Sequence, residues 1–275
     1  MIDYRGTALV TGASSGIGET FARVLASRGM NVVLTARSLA RLDALARELR
    51  NAYGIEAHAI AADLGRRSGA GALFRATEGR GLRINLLVNN AGFATYGRFQ
   101  TLDLAREQEQ ITLNVHALVT LTHLYLPQLL ARPGSGIVNV ASAAALQPLP
   151  YMAVYGATKA FVLSFSEALW AQFKDSNVSV LALCPGPVKT RFAQVVGAPE
   201  AMLGRPDTPA FVVARALAAL ERNRSHVIPR FGQALLANLA RFLPRATVAQ
   251  SSHDMLRPRM PVTDGRDARA AAGKG

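Results

Sequence analysis

Thr11-Gly12-Ala13-Ser14-Ser15-Gly16-Ile17-Gly18 follows directly on the apolar run Thr7–Thr11. It opens a stretch of helical spacing, Gly18–Arg28, with Phe21, Val24 and Leu25 on one side. Glycines let a backbone approach a pyrophosphate closely, and a helix N-terminus offers unpaired N–H groups at the positive end of its dipole. The spacing is G-x-x-x-G-x-G, not the commoner G-x-G-x-x-G. A plain glycine-rich turn would show the same letters, so the strand–turn–helix context carries the reading. It predicts a dinucleotide phosphate held by Gly12, Ser14, Ser15, Gly16, Ile17 and Gly18.

Outward from this loop, strand-like and helix-like segments alternate. Asn31–Thr35 is a continuous β-branched run, and Leu39–Leu49 is amphipathic through Leu42, Leu45 and Leu49. Strands are predicted at Ala57–Ala61, Ile84–Val88, Gly136–Ala141, Val178–Leu183 and His226–Ile228. Helices are predicted near Ala70–Glu78 and over Leu104–Ala131, Tyr155–Lys174 and Pro209–Glu221. Strands apolar on both faces and alternating with helices require a parallel sheet covered on both sides. Right-handed crossovers then leave chiefly the doubly wound α/β (Rossmann) fold, here a single domain on a mostly seven-stranded sheet. The catalytic domain is expected over residues 1–230, with residues 231–275 carrying a C-terminal amphipathic helix and a disordered basic tail.

Bulk composition narrows the classes. Hydrophobic residues are 50% and charged residues 18% of 275, too apolar for disorder. The one cysteine, Cys184, allows no internal disulfide and, ending an apolar run, reads as a buried inert thiol. The five histidines show no ligand spacing, so no metal site is expected. The stretch Ala117–Leu130 carries His123, Pro127 and Gln128 and reads as a buried helix, not a membrane span. The chain runs almost at once into its first strand, which leaves no room for a signal peptide and makes the cytoplasm the expected compartment. The net charge of +13 comes mostly from arginines, and residues 205–275 hold 12 basic and 5 acidic groups. They lie apart, without interleaved aromatics, so a solvated basic face is expected and not a nucleic-acid surface.

The end of the second strand decides which dinucleotide fits. A carboxylate there bonds the ribose 2′-hydroxyl of NAD, whereas an arginine accommodates the 2′-phosphate of NADP. This chain reads Thr35-Ala36-Arg37-Ser38, with no acid until Asp43. Arg37 can meet a phosphate in a planar, two-pronged way. NADP(H) is therefore expected over NAD(H). Asp63-Leu64 after the third strand and Asn89-Asn90-Ala91-Gly92 after the fourth lie where an adenosine would sit, although either alone is more often a turn.

Tyr155 and Lys159 are one helical turn apart on one face. Ser142 ends the fifth strand and Asn114 lies inside the preceding long helix. A positioned acid is what hydride delivery to a carbonyl needs, to protonate the alkoxide. A free tyrosine titrates near pH ~10. A cation ~4 Å away, at an effective dielectric near ~20, favours the phenolate by roughly 4 kcal/mol, about three pKa units at most.

With these residues in place, the chain resembles the short-chain dehydrogenase/reductase family over about residues 5–230. The likeness rests on Thr11–Gly18, Asp63, Asn89–Gly92, Asn114, Ser142, Tyr155–Lys159 and the Pro185-Gly186 turn with Thr190. The stretch from Val140 to Pro187 is also similar to bacterial relatives of long-chain 3-oxoacyl and 17β-hydroxysteroid reductases. The resemblance implies Tyr155 as acid/base and Ser142 as a donor to the oxyanion. It implies that Lys159 bonds the nicotinamide ribose and that Asn114 holds a water relaying protons to Lys159. It implies further cofactor contacts from Pro185, Gly186, Val188 and Thr190, the last to the carboxamide.

Mapped onto this chain, the family's pocket walls are Phe93 and Tyr96, then Ala143, Ala144, Leu146, Pro148, Tyr151 and Met152, then Val188, Phe192, Val195 and Val196. Nearly all are apolar, which points to an apolar ketone or alcohol as the small-molecule substrate. Phe161, Phe165, Leu169, Trp170 and Phe173 make one helix apolar over more than one face, so a homodimer or homotetramer is expected. The stripe Leu235, Leu236, Leu239, Phe242 and Leu243 is too short to span a bilayer; it is expected to cover the substrate entrance or a partner subunit, with weak peripheral membrane contact as the lesser reading. Two alternative functions share the fold: a redox sensor that binds the dinucleotide without turnover, and a membrane-surface protein.

Overall fold

The computed structural model describes residues 2–197, 204–230, 232 and 242–257, apart from the side chains of Ala193 and Val195. Its seven strands are β1 (Thr7–Thr11), β2 (Asn31–Ala36), β3 (Ala57–Ala61), β4 (Ile84–Asn89), β5 (Ser135–Val140), β6 (Val178–Leu183) and β7 (His226–Val227). They pair in parallel in the order β3-β2-β1-β4-β5-β6-β7. The order reverses direction between β1 and β4, and a crevice opens there at the carboxyl ends of the strands.

Alternation along each strand builds two cores. Ala8 and Val10 of β1 pack on one face with Phe21 and Leu25 of α1 (Gly16–Ser27), Leu42 and Leu49 of α2 (Leu39–Tyr53), and Leu217 of α8 (Pro209–Glu221). Leu9, between them, faces Leu73 of α3 (Gly69–Glu78) and Leu121 and Tyr125 of α5 (Leu118–Leu130). Successive side chains of a strand point to opposite faces, so a strand buried on both must be apolar throughout. Each large side chain so buried contributes about 1.5–3 kcal/mol.

Local chemistry sets the helix ends. Gly54 closes α2 in the left-handed region at φ 66. Thr208 caps α8 by accepting from Phe211 N, with Pro209 at the first helical position. The predicted helix Leu104–Ala131 is one continuous rod with a flaw: α4 (Leu104–Ile111) and α5 are joined by a widened π-type turn, Thr112–Ala117. Asn114 sits inside it, and such turns recur at functional sites. The helix predicted over Tyr155–Lys174 is α6 (Ala153–Gln172). Leu169, Trp170 and Phe173 pack against the core built on Leu9, Leu121 and Tyr125; of the aromatic face, Phe161, 42% exposed, and its neighbour Phe165 keep an apolar surface turned outward.

The short helix α7 (Phe192–Val196) follows the Pro185-Gly186 turn. A further helix, α9 (Arg245–Leu256), was not expected after Pro244; it buries Ser252 and Leu256 against the domain. Of the expected apolar stripe, Leu235, Leu236 and Leu239 lie outside the described residues, as does the tail beyond residue 257, while Phe242 and Leu243 are exposed. No helix among the described residues is long and apolar enough to cross a membrane.

Candidate active site

The β1–α1 turn is held open by backbone geometry. Gly12 and Gly16 have φ of 66 and 61, where a side chain is strained. A Cβ on Gly12 would meet Asn90 Nδ2 at 2.7 Å, one on Gly16 would meet Thr190 Cγ2 at 2.9 Å, and one on Gly18 would meet Gly12 O at 2.4 Å. Three strand ends therefore converge with no room for side chains: β1, β4 through Asn90-Ala91, and β6 through Thr190. Ser15 is the N-cap of α1, yet its side chain makes no capping bond. A cleft of about 600 Å³ opens over this turn, lined by Ser14, Ser15, Gly16, Thr20, Lys189 and Thr190 among others. A dinucleotide pyrophosphate fits this cradle: close backbone, hydroxyls and two cations, Lys189 and Arg191, at its rim.

Thr11 ties the turn to β4, a role the sequence reading missed. Its hydroxyl donates to Val88 O at 3.2 Å and accepts from Asn90 N at 2.8 Å and Ala91 N at 2.9 Å. Asn90 Nδ2 returns a bond to Thr11 O at 2.8 Å. A threonine at a strand end carries no distinctive signal by itself. Beneath it, Asn89 Nδ2 donates to Asn139 Oδ1 at 2.9 Å and Thr122 Oγ1 at 3.1 Å, and Asn139 donates to Ser166 Oγ at 2.9 Å. These buried groups lock β4, β5 and α6 in register beside the crevice.

The residues expected at an adenosine end lie at the tips of β2 and β3. Arg37 is largely exposed and 4.0 Å from Glu109 of α4. Asp63 accepts from Gly65 N at 3.1 Å and pairs with Arg66 at 3.3 Å. Leu64 belongs to the core. At the other end, Pro185 O accepts from Ala143 N at 2.8 Å, and Val188 bridges to Asp207. Asp207 is buried and paired with Arg230, and it fastens the stem of the segment leading to α7.

Around the reacting centre, Tyr155 and Lys159 come from the first turns of α6 and Ser142 from the end of β5. Tyr155 and Lys159 are both more than nine-tenths buried. Lys159 Nζ donates to Val140 O at 2.8 Å and lies 5.8 Å from the Tyr155 ring centroid. Burial pushes the Tyr155 hydroxyl up to about 12, with the hydrogen bond to the Ser142 side chain pulling it back. Burial thus raises this phenol, where a neighbouring cation argued for lowering it. Burial also pulls Lys159 down to about 8. Cys184 is itself buried and pushed up to about 12, chiefly by burial, as an inert thiol should be.

Asn114 Nδ2 donates to Phe93 O at 3.0 Å and Thr158 Oγ1 at 3.1 Å, and its Oδ1 accepts from Phe93 N at 3.2 Å. A Cβ on Gly92 would meet Asn114 Oδ1 at 2.9 Å and Lys159 Nζ at 3.5 Å. Gly92 is thus the gap through which Asn114 and Lys159 face each other.

Of the expected pocket wall, Tyr96, Ala144, Met152, Phe192 and Val196 gather around Tyr155, whereas Leu146 and Val188 pack into other cores. Tyr155, Ala94 and Met152 form an apolar cluster with Tyr96, Ala144, Leu149, Phe192 and Val196. Phe192 lies 5.8 Å from the Tyr155 ring. Phe93 does not belong to it: its ring lies under the Arg106 guanidinium, 3.7 Å from the centroid, turned toward α4. Helix α9 joins instead, with Tyr96 donating to Leu256 O at 2.6 Å and Tyr151 bonded to His253.

Residues 6–201 match the family model described as short chain dehydrogenase. The chain belongs to the short-chain dehydrogenase family. Among relatives of this short-chain dehydrogenase is the very-long-chain 3-oxoacyl-CoA reductase of Anas platyrhynchos, 38% identical over 68% of this chain and 61% of that protein. The chain spans about three fifths of the length of the duck protein and of several other curated relatives it matches, and about three quarters of others. A short-chain dehydrogenase from Sphingobium yanoikuyae, solved in complex with NADPH, is 34% identical with a TM-score of 0.77, covering 88% of this chain and 97% of that one. The bulky-bulky ketone specific alcohol dehydrogenase of Comamonas testosteroni is 30% identical with a TM-score of 0.74, covering 87% and 93%. A nicotinamide dinucleotide is the cofactor of this oxidoreductase family, and the converging glycine cradle fits it.

Proposed function

We propose that this short-chain dehydrogenase reduces bulky apolar ketones with NADPH, and oxidises the matching alcohols in reverse. The observation that carries the reading is Tyr155: a phenol buried within an apolar cluster, hydrogen-bonded to Ser142, one helical turn from a buried lysine. A bound nicotinamide dinucleotide would supply the hydride. Tyr155 then protonates the carbonyl oxygen, for which a phenol held neutral by burial is suited. Ser142 donates to the same oxygen as negative charge develops, an effect typically worth about 10²–10³ in rate. Lys159 holds positive charge beside the phenol and orients the nicotinamide ribose. Asn114, facing Lys159 across Gly92, positions a water that returns the proton.

In this reading Gly12, Ser14–Gly18, Arg37, Asp63, Leu64, Asn90–Gly92, Pro185, Gly186, Val188 and Thr190 hold the cofactor. The substrate assignment rests on the walls. A polyol would leave each hydroxyl unpaired against them at about 1–3 kcal/mol. An apolar ketone gains roughly 25 cal/mol per Å² buried. The names of the duck and Comamonas relatives fit the same class of carbonyl. Assembly through the Phe161 face and residence in the cytoplasm complete the proposal, the latter checked by cell fractionation. Loss of NADPH absorbance across a homologous ketone series tests the reaction. Specificity constants should rise with chain length; a preference for sugars overturns the substrate class, and binding without turnover on any carbonyl leaves the sensor reading.

A further inference from the structure

A row of charges spans the tips of β2 and β3 and helix α4, and of it the reading above uses only Arg37 and Asp63. Glu109 of α4 brings Oε1 to 4.0 Å from Arg37 Nη1 and Oε2 to 2.5 Å from Arg106 Nη1. Arg106 is fixed from its other side by the Phe93 ring. A Cβ on Gly65 would meet Glu109 Oε1 at 3.1 Å, so the carboxylate is packed against the loop after β3. It is about one-third exposed, whereas Arg37 is 73% exposed. Asp63 and Arg66 pair with each other alongside.

We infer that Glu109 sets how strongly this site discriminates NADPH from NADH. The inference rests on the nucleotide reading above and deepens it. β2 ends in Ala36-Arg37 and supplies no carboxylate to a ribose 2′-hydroxyl. Helix α4 supplies one from the opposite side, beside the cation that a 2′-phosphate would seek. A phosphate engaging Arg37 must share it with Glu109, and two like charges this close repel well within a Debye length. Arg106 moderates the repulsion by claiming the other carboxylate oxygen. Glu109 and Arg106 thus act with opposite sign on one ligand group. The preference for NADPH that Arg37 would give is thereby tempered, and NADH stays within reach.

The test is direct binding, with no turnover involved. Dissociation constants of NADPH, NADH, adenosine 2′,5′-bisphosphate and 5′-AMP are measured by calorimetry for the wild type, Glu109→Gln and Arg106→Gln. Glu109→Gln should tighten the two 2′-phosphate ligands about three- to tenfold at low salt, the gain shrinking as salt is added. Arg106→Gln, by freeing Glu109 toward Arg37, should weaken the same two ligands. NADH and 5′-AMP should stay within about twofold or weaken slightly with Glu109→Gln. A purely structural role would move all four ligands together, and that result, or no change in either variant, overturns the inference while leaving the nucleotide reading intact. A wild type that binds neither NADPH nor NADH overturns both.

Discussion

The Tyr151 hydroxyl and His253 Nε2 stand 2.9 Å apart, joining residues 102 positions distant in sequence. Their rings are tilted at 5.5 Å, and Tyr96 lies 6.2 Å beyond. Tyr151 takes a left-handed backbone, φ 64, which costs a non-glycine residue about 1 kcal/mol or more and persists only where surrounding contacts fix it. Its carbonyl accepts from Gly97 N at 2.9 Å and its hydroxyl meets His253, so backbone and side chain are both held. Through this pair and the bond from Tyr96 to Leu256, α9 packs beside the apolar cluster that holds Tyr155. His253→Ala should raise KM for bulky ketones several-fold more than KM for small ones. An equal effect on both would show that α9 does not wall the substrate.

Tyr155→Phe removes the proton and little else, since the ring still fills its place in the cluster. Turnover should fall by at least about 10³-fold, in the range of a lost general acid, while the NADPH dissociation constant stays within a few-fold. Stopped-flow absorbance and calorimetry check the two halves separately. Substantial residual activity near neutral pH would remove Tyr155 from the mechanism.

Lys159 gives a pH signature. Its folded value is depressed to about 8 by burial, below the ordinary lysine range. Between about pH 8 and 10.5 the unfolded chain holds a proton that the folded chain has lost, so stability rises with pH across that window. Below it, folding carries the full cost of burying an ammonium, on the order of 3 kcal/mol. Lys159→Met escapes that cost but also loses the bond to Val140 O. Its Tm relative to wild type should therefore be highest near pH 7 and fall steadily toward pH 10.5. A gap independent of pH would mean that Lys159 is not buried charged.

Cofactor choice follows from the end of β2. Ala36→Asp with Arg37→Leu removes the phosphate partner and adds a ribose acceptor. The ratio of specificity constants for NADPH over NADH should fall by ten-fold or more, on the order of 1.4 kcal/mol. A wild type already preferring NADH would contradict the reading of Arg37.

Phe161 and Phe165 stack at 5.7 Å and 15° on the outward face of α6. Placing a charge there with Phe161→Arg should dissociate the proposed oligomer without unfolding it. Light scattering at micromolar concentration reads the mass; a wild type already monomeric would end the proposal of assembly.

The sheet, its order of strands and helices and the glycine turn were legible in the sequence because each is set locally. A strand covered on both sides must be apolar at successive positions, as Val32–Leu34 and Val180–Leu183 are, and glycine is what a left-handed turn at Gly12 and Gly16 demands. The pairing of Tyr155 with Lys159 was legible for the same reason, since helical periodicity alone puts them on one face. What the sequence could not settle depends on groups brought together from afar. Thr11 looked like a strand end and became the pin of the crevice, because β1 and β4 are neighbours only in the sheet. Phe93 looked like a pocket wall and turned away, because Arg106 on α4 claims its face. The ionisation of Tyr155 was the sharpest such case: a nearby lysine argues for lowering it, but only the packing shows that Lys159 is 5.8 Å from the ring and that both groups are buried, so desolvation wins. Helix α9 carries polar residues nearly all round, and its place beside the apolar cluster comes from Leu256 and His253 finding Tyr96 and Tyr151. Periodicity fixes elements along a chain, whereas desolvation and contact fix chemistry, and those exist only between elements.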